Sequence, residues 1–87
     1  MYVIMVYDVA EARVNKILKI GRKYLTWVQN SVLEGEIGMA SFEKLKFELK
    51  RTMDDKKDSI IFYKFRTRMY TDRETMGIKK GGEEIIL

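Results

Sequence analysis

The chain opens on Tyr2-Val3-Ile4-Met5-Val6-Tyr7, an apolar and aromatic run that stops at Asp8. In a strand, Tyr2, Ile4 and Val6 fall on one face, and Val3, Met5 and Tyr7 on the other. A strand apolar on both faces lies inside a sheet and is covered on both sides. Residues 9–24 change period. Ala10, Val14, Ile17, Leu18, Gly21 and Tyr24 recur at three- and four-residue steps, with Arg13, Lys16, Lys19, Arg22 and Lys23 between them, which predicts an amphipathic helix. Asp8 and Glu11 have the spacing of a capping box, so the Asp8 carboxylate has a structural role open to it beside any chemical one.

Leu25-Thr26-Trp27-Val28 and Ser31-Val32-Leu33-Glu34 are short strand-like runs joined through the turn-prone pair Gln29-Asn30. Trp27 and Gln29 are expected to share a face. Ser41 is placed to cap a second helix, whose buried stripe is Phe42, Leu45, Leu49 and Met53. Asp54-Asp55-Lys56-Lys57-Asp58 reads as a solvated charged turn without a function of its own. Ser59 to Phe65 is another strand with two apolar faces. It leads into a basic set, Lys64, Arg66, Arg68 and Arg73, interleaved with Tyr63, Phe65 and Tyr70. After the hinge Lys79-Lys80-Gly81-Gly82, the terminal Ile85-Ile86-Leu87 reads as a short tail strand added to a sheet edge.

The order strand, helix, strand, strand, helix, strand predicts an α+β, ferredoxin-like (βαββαβ) fold. It has a four-stranded antiparallel sheet, both helices on one face, the first and third strands central, and a C-terminal tail strand. The uncovered face invites sheet-to-sheet packing in a homodimer. Residues 1–87 form one domain, with 1–66 as its core and 67–87 as a linker and tail strand exchanged with the partner.

Composition narrows the chemistry. The chain has no cysteine and no histidine, which excludes disulfides, the usual zinc sites and every histidine-based catalytic arrangement. Catalysis is left to carboxylates, Lys/Arg, hydroxyls or a hard cation held by oxygen, Mg²⁺ or alternatively Mn²⁺. The net charge is +4, and the surplus sits at both ends: residues 1–33 carry five basic and two acidic side chains, and residues 59–87 carry six and four. That balance points to polyanions. The opening run lacks a basic n-region and meets Asp8 too early for a signal segment, and no run approaches the ~20 apolar residues of a membrane span. A cytoplasmic protein without a membrane partner is expected.

Four stretches carry a resemblance: Tyr2-Val3-Ile4-Met5-Val6-Tyr7-Asp8-Val9, Arg13-Val14-Asn15-Lys16, Val28-Gln29-Asn30-Ser31-Val32-Leu33-Glu34-Gly35 and Asp58-Ser59-Ile60-Ile61-Phe62-Tyr63. In order and without large gaps, they closely resemble CRISPR-associated protein two, the small subunit of the spacer-acquisition machinery. The resemblance implies a sheet-to-sheet homodimer in which Asp8 faces its twin across the two-fold axis and holds a divalent cation, usually Mg²⁺. It further implies a metal-dependent endonuclease on single-stranded RNA or double-stranded DNA, and a bridge between two dimers of the CRISPR integrase, CRISPR-associated protein one. Asp8 carries over as metal ligand, Arg13 as phosphate contact and Ser31 as a supporting site residue. Leu33, Trp27 and Val14 depart from the family's aromatic and basic residues at those positions. In such a dimer Arg13, Lys16 and Lys19, with Arg66 and Arg68, offer basic tracks to a nucleic-acid backbone. Two rivals stand beside this reading, a stand-alone toxin-type ribonuclease on the same fold and a non-catalytic regulatory dimer. The second calls for a glycine-rich loop after the first strand, and residues 8–13 contain no glycine.

Overall fold

Alternation along the opening strand, β1 (Tyr2–Asp8), decides the architecture. Val3, Met5 and Tyr7 are buried, Ile4 and Val6 on the other face are partly covered, and Asp8 is exposed. The chain continues through α1 (Glu11–Arg22), β2 (Thr26–Gln29), β3 (Val32–Glu36), α2 (Met39–Thr52), β4 (Ser59–Phe65) and a 3-10 turn over Arg68–Tyr70. This computed structural model describes residues 1–70 and 72–81. Its strands form one antiparallel sheet in the order β2-β3-β1-β4, which is ferredoxin-like with the first and third strands central. The expected tail strand lies in 82–87, outside the described residues.

Both helices cover the face of Val3, Met5 and Tyr7. Ile17 of α1 and the stripe Phe42, Leu45 and Leu49 of α2 meet these residues, and Leu25, Leu33 and Ile37 complete the core. Phe42 meets Phe62 of β4 edge-on, with ring centroids 5.1 Å apart. Gly21 lets α1 lie close to the sheet: a Cβ there would stand 3.0 Å from Cδ2 of Leu33 and 3.7 Å from Sδ of Met5. At the far end of α1, Lys23 and Tyr24 both donate to the Glu48 carboxylate and tie the two helices together.

Local details depart from the sequence reading. α1 begins at Glu11, its N-cap is Ala10, and no side chain of its own end caps it. The capping box is therefore absent, because Asp8 stays in β1, paired with Ser59. α2 begins at Met39 behind Gly38, which leaves Ser41 within the first turn rather than capping it. Trp27 and Gln29 do not share a face. A register shift between them sets Trp27 opposite Leu33 and Gln29 opposite Val32, and an added residue reverses the side of everything beyond it. Trp27 thus packs against the helix-side core. The tight turn that follows has Asn30 in the left-handed region, φ 40°, a conformation asparagine tolerates better than most residues.

Candidate metal and nucleic-acid site at the end of the first strand

β1 carries Asp8 to the end of a central strand, directly opposite Ser59 of β4. Residues paired this way share a face. Asp8 therefore lies on the uncovered side of the sheet with Ile4 and Val6, whose partners across the β1–β4 ladder are Tyr63 and Ile61. Ile61 and Tyr63 remain 47% and 52% exposed. Among the described residues, the Asp8 carboxylate enters no hydrogen bond or ion pair. No group of three or more His, Cys, Asp or Glu side chains able to hold a metal occurs among them either. Among the described residues, the strands thus offer one unpartnered carboxylate at this end of the sheet, Asp8.

The carboxylate that does engage the start of α1 comes from across the molecule. The Asp58 side chain is wholly buried and accepts four hydrogen bonds. Its Oδ1 takes the backbone N–H of Ala10 at 2.9 Å and Nη2 of Arg13 at 2.9 Å. Its Oδ2 takes Nε of Arg13 at 2.5 Å and the backbone N–H of Asp54 at 2.9 Å. The paired guanidinium, helped by the two backbone amides, holds the Asp58 carboxyl well below the usual carboxylate range against the opposing effect of burial. The same bonds raise the Arg13 pKa. The charge run 54–58 is therefore more than a solvated turn. It folds back on itself, Asp58 N–H donating to the Asp54 carbonyl at 2.7 Å, so that its last member points inward.

Ser31 also reaches the Asp8 end of the sheet. Its carbonyl accepts the Tyr7 N–H at 3.0 Å, and burial pushes the Tyr7 phenol pKa up, with the Ser31 side chain acting in the opposite direction. Lys16 and Lys19 are exposed on α1, where with Ile20, Lys23 and Thr52 they line a groove between the helices. Arg66 and Arg68 are elsewhere. β4 runs antiparallel to β1, so its exit lies beside Tyr2, the whole length of β1 from Asp8, roughly 20 Å at the usual rise per residue. There Arg68 lies over the Tyr2 ring at 5.9 Å, and Arg73 pairs with Glu34 at 3.3 Å. Burial, then the hydrogen bond to Glu34, pushes the Tyr2 hydroxyl up to about 12. The structure gathers Asp8, Arg13 and Ser31 at one end and sets Arg66 and Arg68 at the other.

A family model, CRISPR associated protein Cas2, matches residues 1–73. The chain belongs to this family. It is 55% identical over 87 residues to the CRISPR-associated endoribonuclease Cas2 of Dictyoglomus turgidum, covering 100% of each chain. It is 57% identical over 86 residues to the protein of the same name from Thermotoga maritima, covering 99% of each. The solved structure of Streptococcus pyogenes Cas2 superimposes with a TM-score of 0.79 at 34% identity, over 88% of this chain and 100% of that one.

Within the Cas2 fold, Asp58 and Ser59 are the neighbours of Asp8 to which the sequence reading gave no role. Their signals are their place in one of the stretches that carry the resemblance, and their position, where a charged turn gives way to a doubly apolar strand. The pairing of that strand with the end of β1 brings both residues to the site.

Proposed function

We propose that the chain is a CRISPR-associated nuclease that works as a homodimer and cuts phosphodiester bonds with the help of a divalent cation. The observation that carries this reading is Asp8: an exposed carboxylate with no partner among the described residues, at the end of a central strand on the uncovered sheet face. The endoribonuclease names of relatives 45–57% identical to the chain supply the substrate class, RNA, with double-stranded DNA as the alternative. Two sheets packed through Ile4, Val6, Ile61 and Tyr63 bring two Asp8 carboxylates toward each other. Carboxylates that share a site repel and remain ionised together only with a cation between them. One or two carboxylates plus water suit Mg²⁺, and Mn²⁺ in its place, and the donor set here is all oxygen. When bound, such a cation polarises a phosphoryl oxygen and makes water a better nucleophile.

The chain's own residues bind and orient. Lys16 and Lys19 face solvent along α1, two of them on each protomer, and meet a phosphate backbone without reading bases. Arg66 and Arg68 extend the basic surface at the other end of the sheet. The same reading includes a role in adaptation, as a bridge between two dimers of the CRISPR integrase, in keeping with membership of this family.

Asp8→Ala tests the reading. Rigorously purified variant is expected to lose Mg²⁺-dependent RNA cleavage while keeping its dimer, its nucleic-acid binding and its capture of the integrase. Undiminished cleavage would remove Asp8 from the chemistry.

A further inference from the structure

The segments around Asp8 are fastened to one buried carboxylate. Ala10, two residues beyond Asp8, donates its amide to Asp58 Oδ1, and Ser59, the residue after Asp58, pairs with Asp8 across the sheet. Arg13, in the first turn of α1, grips both Asp58 oxygens, and Asp54 closes the loop from the other side. An ionised carboxylate has about four acceptor sites. Two donors on each oxygen fill them all, so Asp58 has no capacity left for a metal or a substrate.

The amide of Ala10 is the important donor. An aspartate readily bonds the backbone N–H two residues further on, and Asp8 stands two residues before Ala10. Asp8 is thus the local competitor for that amide, and Asp58 has taken it. We propose that Asp58 and Arg13 form the positioning pair of the nuclease site: they satisfy the start of α1 from a distance and leave the Asp8 carboxylate free on the open sheet face. Arg13 serves here through its planar fork, which a lysine cannot reproduce. The proposal rests on Asp8 as the metal-holding carboxylate. It assigns Arg13 work in addition to any contact with phosphate.

The test measures Mn²⁺ binding to the full-length dimer by electron paramagnetic resonance, alongside RNA cleavage as a function of Mg²⁺ concentration. Folding is checked by circular dichroism. Asp58→Ala and Arg13→Gln are each expected to weaken Mn²⁺ binding by about 10- to 100-fold, the usual effect of removing a group that orients a metal ligand. Arg13→Lys, which keeps the charge and loses the fork, is expected to fall between Arg13→Gln and the native protein. Should Asp58→Ala fail to fold, the two Arg13 variants decide the question by the same readout. Asp8→Asn is the reference. If it abolishes Mn²⁺ binding while the folded Asp58 and Arg13 variants bind as tightly as the native dimer, the positioning role is overturned and the reading of Asp8 stands. If Asp8→Asn binds Mn²⁺ unchanged, the reading of Asp8 fails and takes the positioning role with it.

Discussion

Replacing Tyr63 with aspartate probes the open sheet face through which two copies are proposed to meet. Tyr63 lies in β4 opposite Ile4, and 52% of it is exposed in the single chain. A fully covered aromatic residue buries about 150–250 Å², so about 100 Å² of Tyr63 is left for a second copy to cover. At ~25 cal/mol per Å² that area is worth about 2.5 kcal/mol. A two-fold interface uses the residue twice, which brings the loss on removing it to about 5 kcal/mol. In dissociation constant this is roughly three to four powers of ten. The new carboxylates, set on an apolar surface in both copies, add a desolvation cost in the same direction. The folded monomer itself should change by only about 0.5 kcal/mol, the usual range for an exposed position. Sedimentation equilibrium over a dilution series measures the effect, with circular dichroism to confirm the fold. The native chain is expected to remain dimeric where the variant is monomeric. Equal dissociation constants for the two would refute packing through this face.

Further outcomes follow from the same structure. Leu45→Ala, at a fully buried position of α2, should cost about 2–5 kcal/mol in urea unfolding. A Cβ on Gly81 would stand 2.3 Å from the Val28 carbonyl oxygen and 2.5 Å from that of Trp27, so Gly81→Ala should push the linker off β2. Limited proteolysis should then cut residues 72–81 faster. Asp58 is held below the usual carboxylate range, mainly by its hydrogen bonds from Arg13, so it stays ionised in the native state where the unfolded chain already takes up a proton. Its contribution is therefore complete above the ordinary aspartate value of about 4 and is lost as pH falls from there toward the lowered native value. Melting temperatures measured down through that range should drop, and Asp58→Asn should flatten the drop. Lys16→Ala and Lys19→Ala should each lower the salt dependence of nucleic-acid binding by about one unit of slope, uniformly across sequences.

The fold was legible because its signals are local and periodic. The two apolar faces of β1 required a central strand, the three- and four-residue steps gave both helices, and their order left one arrangement of the sheet. The freedom of Asp8 was not legible. Its spacing to Glu11 is a valid local signal for a cap, and the acceptor that replaces it lies 48 residues away from Ala10. Nothing local marks Asp58, the last of three aspartates in a mixed charged run, as the buried one. Trp27 was misplaced for a similar reason: alternation cannot register an extra residue that only the partner strand reveals. The basic residues read as one set in the sequence, and antiparallel pairing divides them between the two ends of β1.

β1 precedes both of its neighbours in the chain, β3 and β4. As the polypeptide leaves the ribosome, its most apolar strand gains its first partner with β3 and keeps its other edge open until β4 has been synthesised, and non-local pairings of this kind are slow to form. Asp8 is made before the groups that frame it: Asp58 immediately precedes the last described strand of the sheet, and Ser59 opens it. A nascent chain or a fragment that stops short of β4 carries the carboxylate without its frame. On the proposed reading, a site for cutting RNA is then assembled only once translation of the sheet is complete.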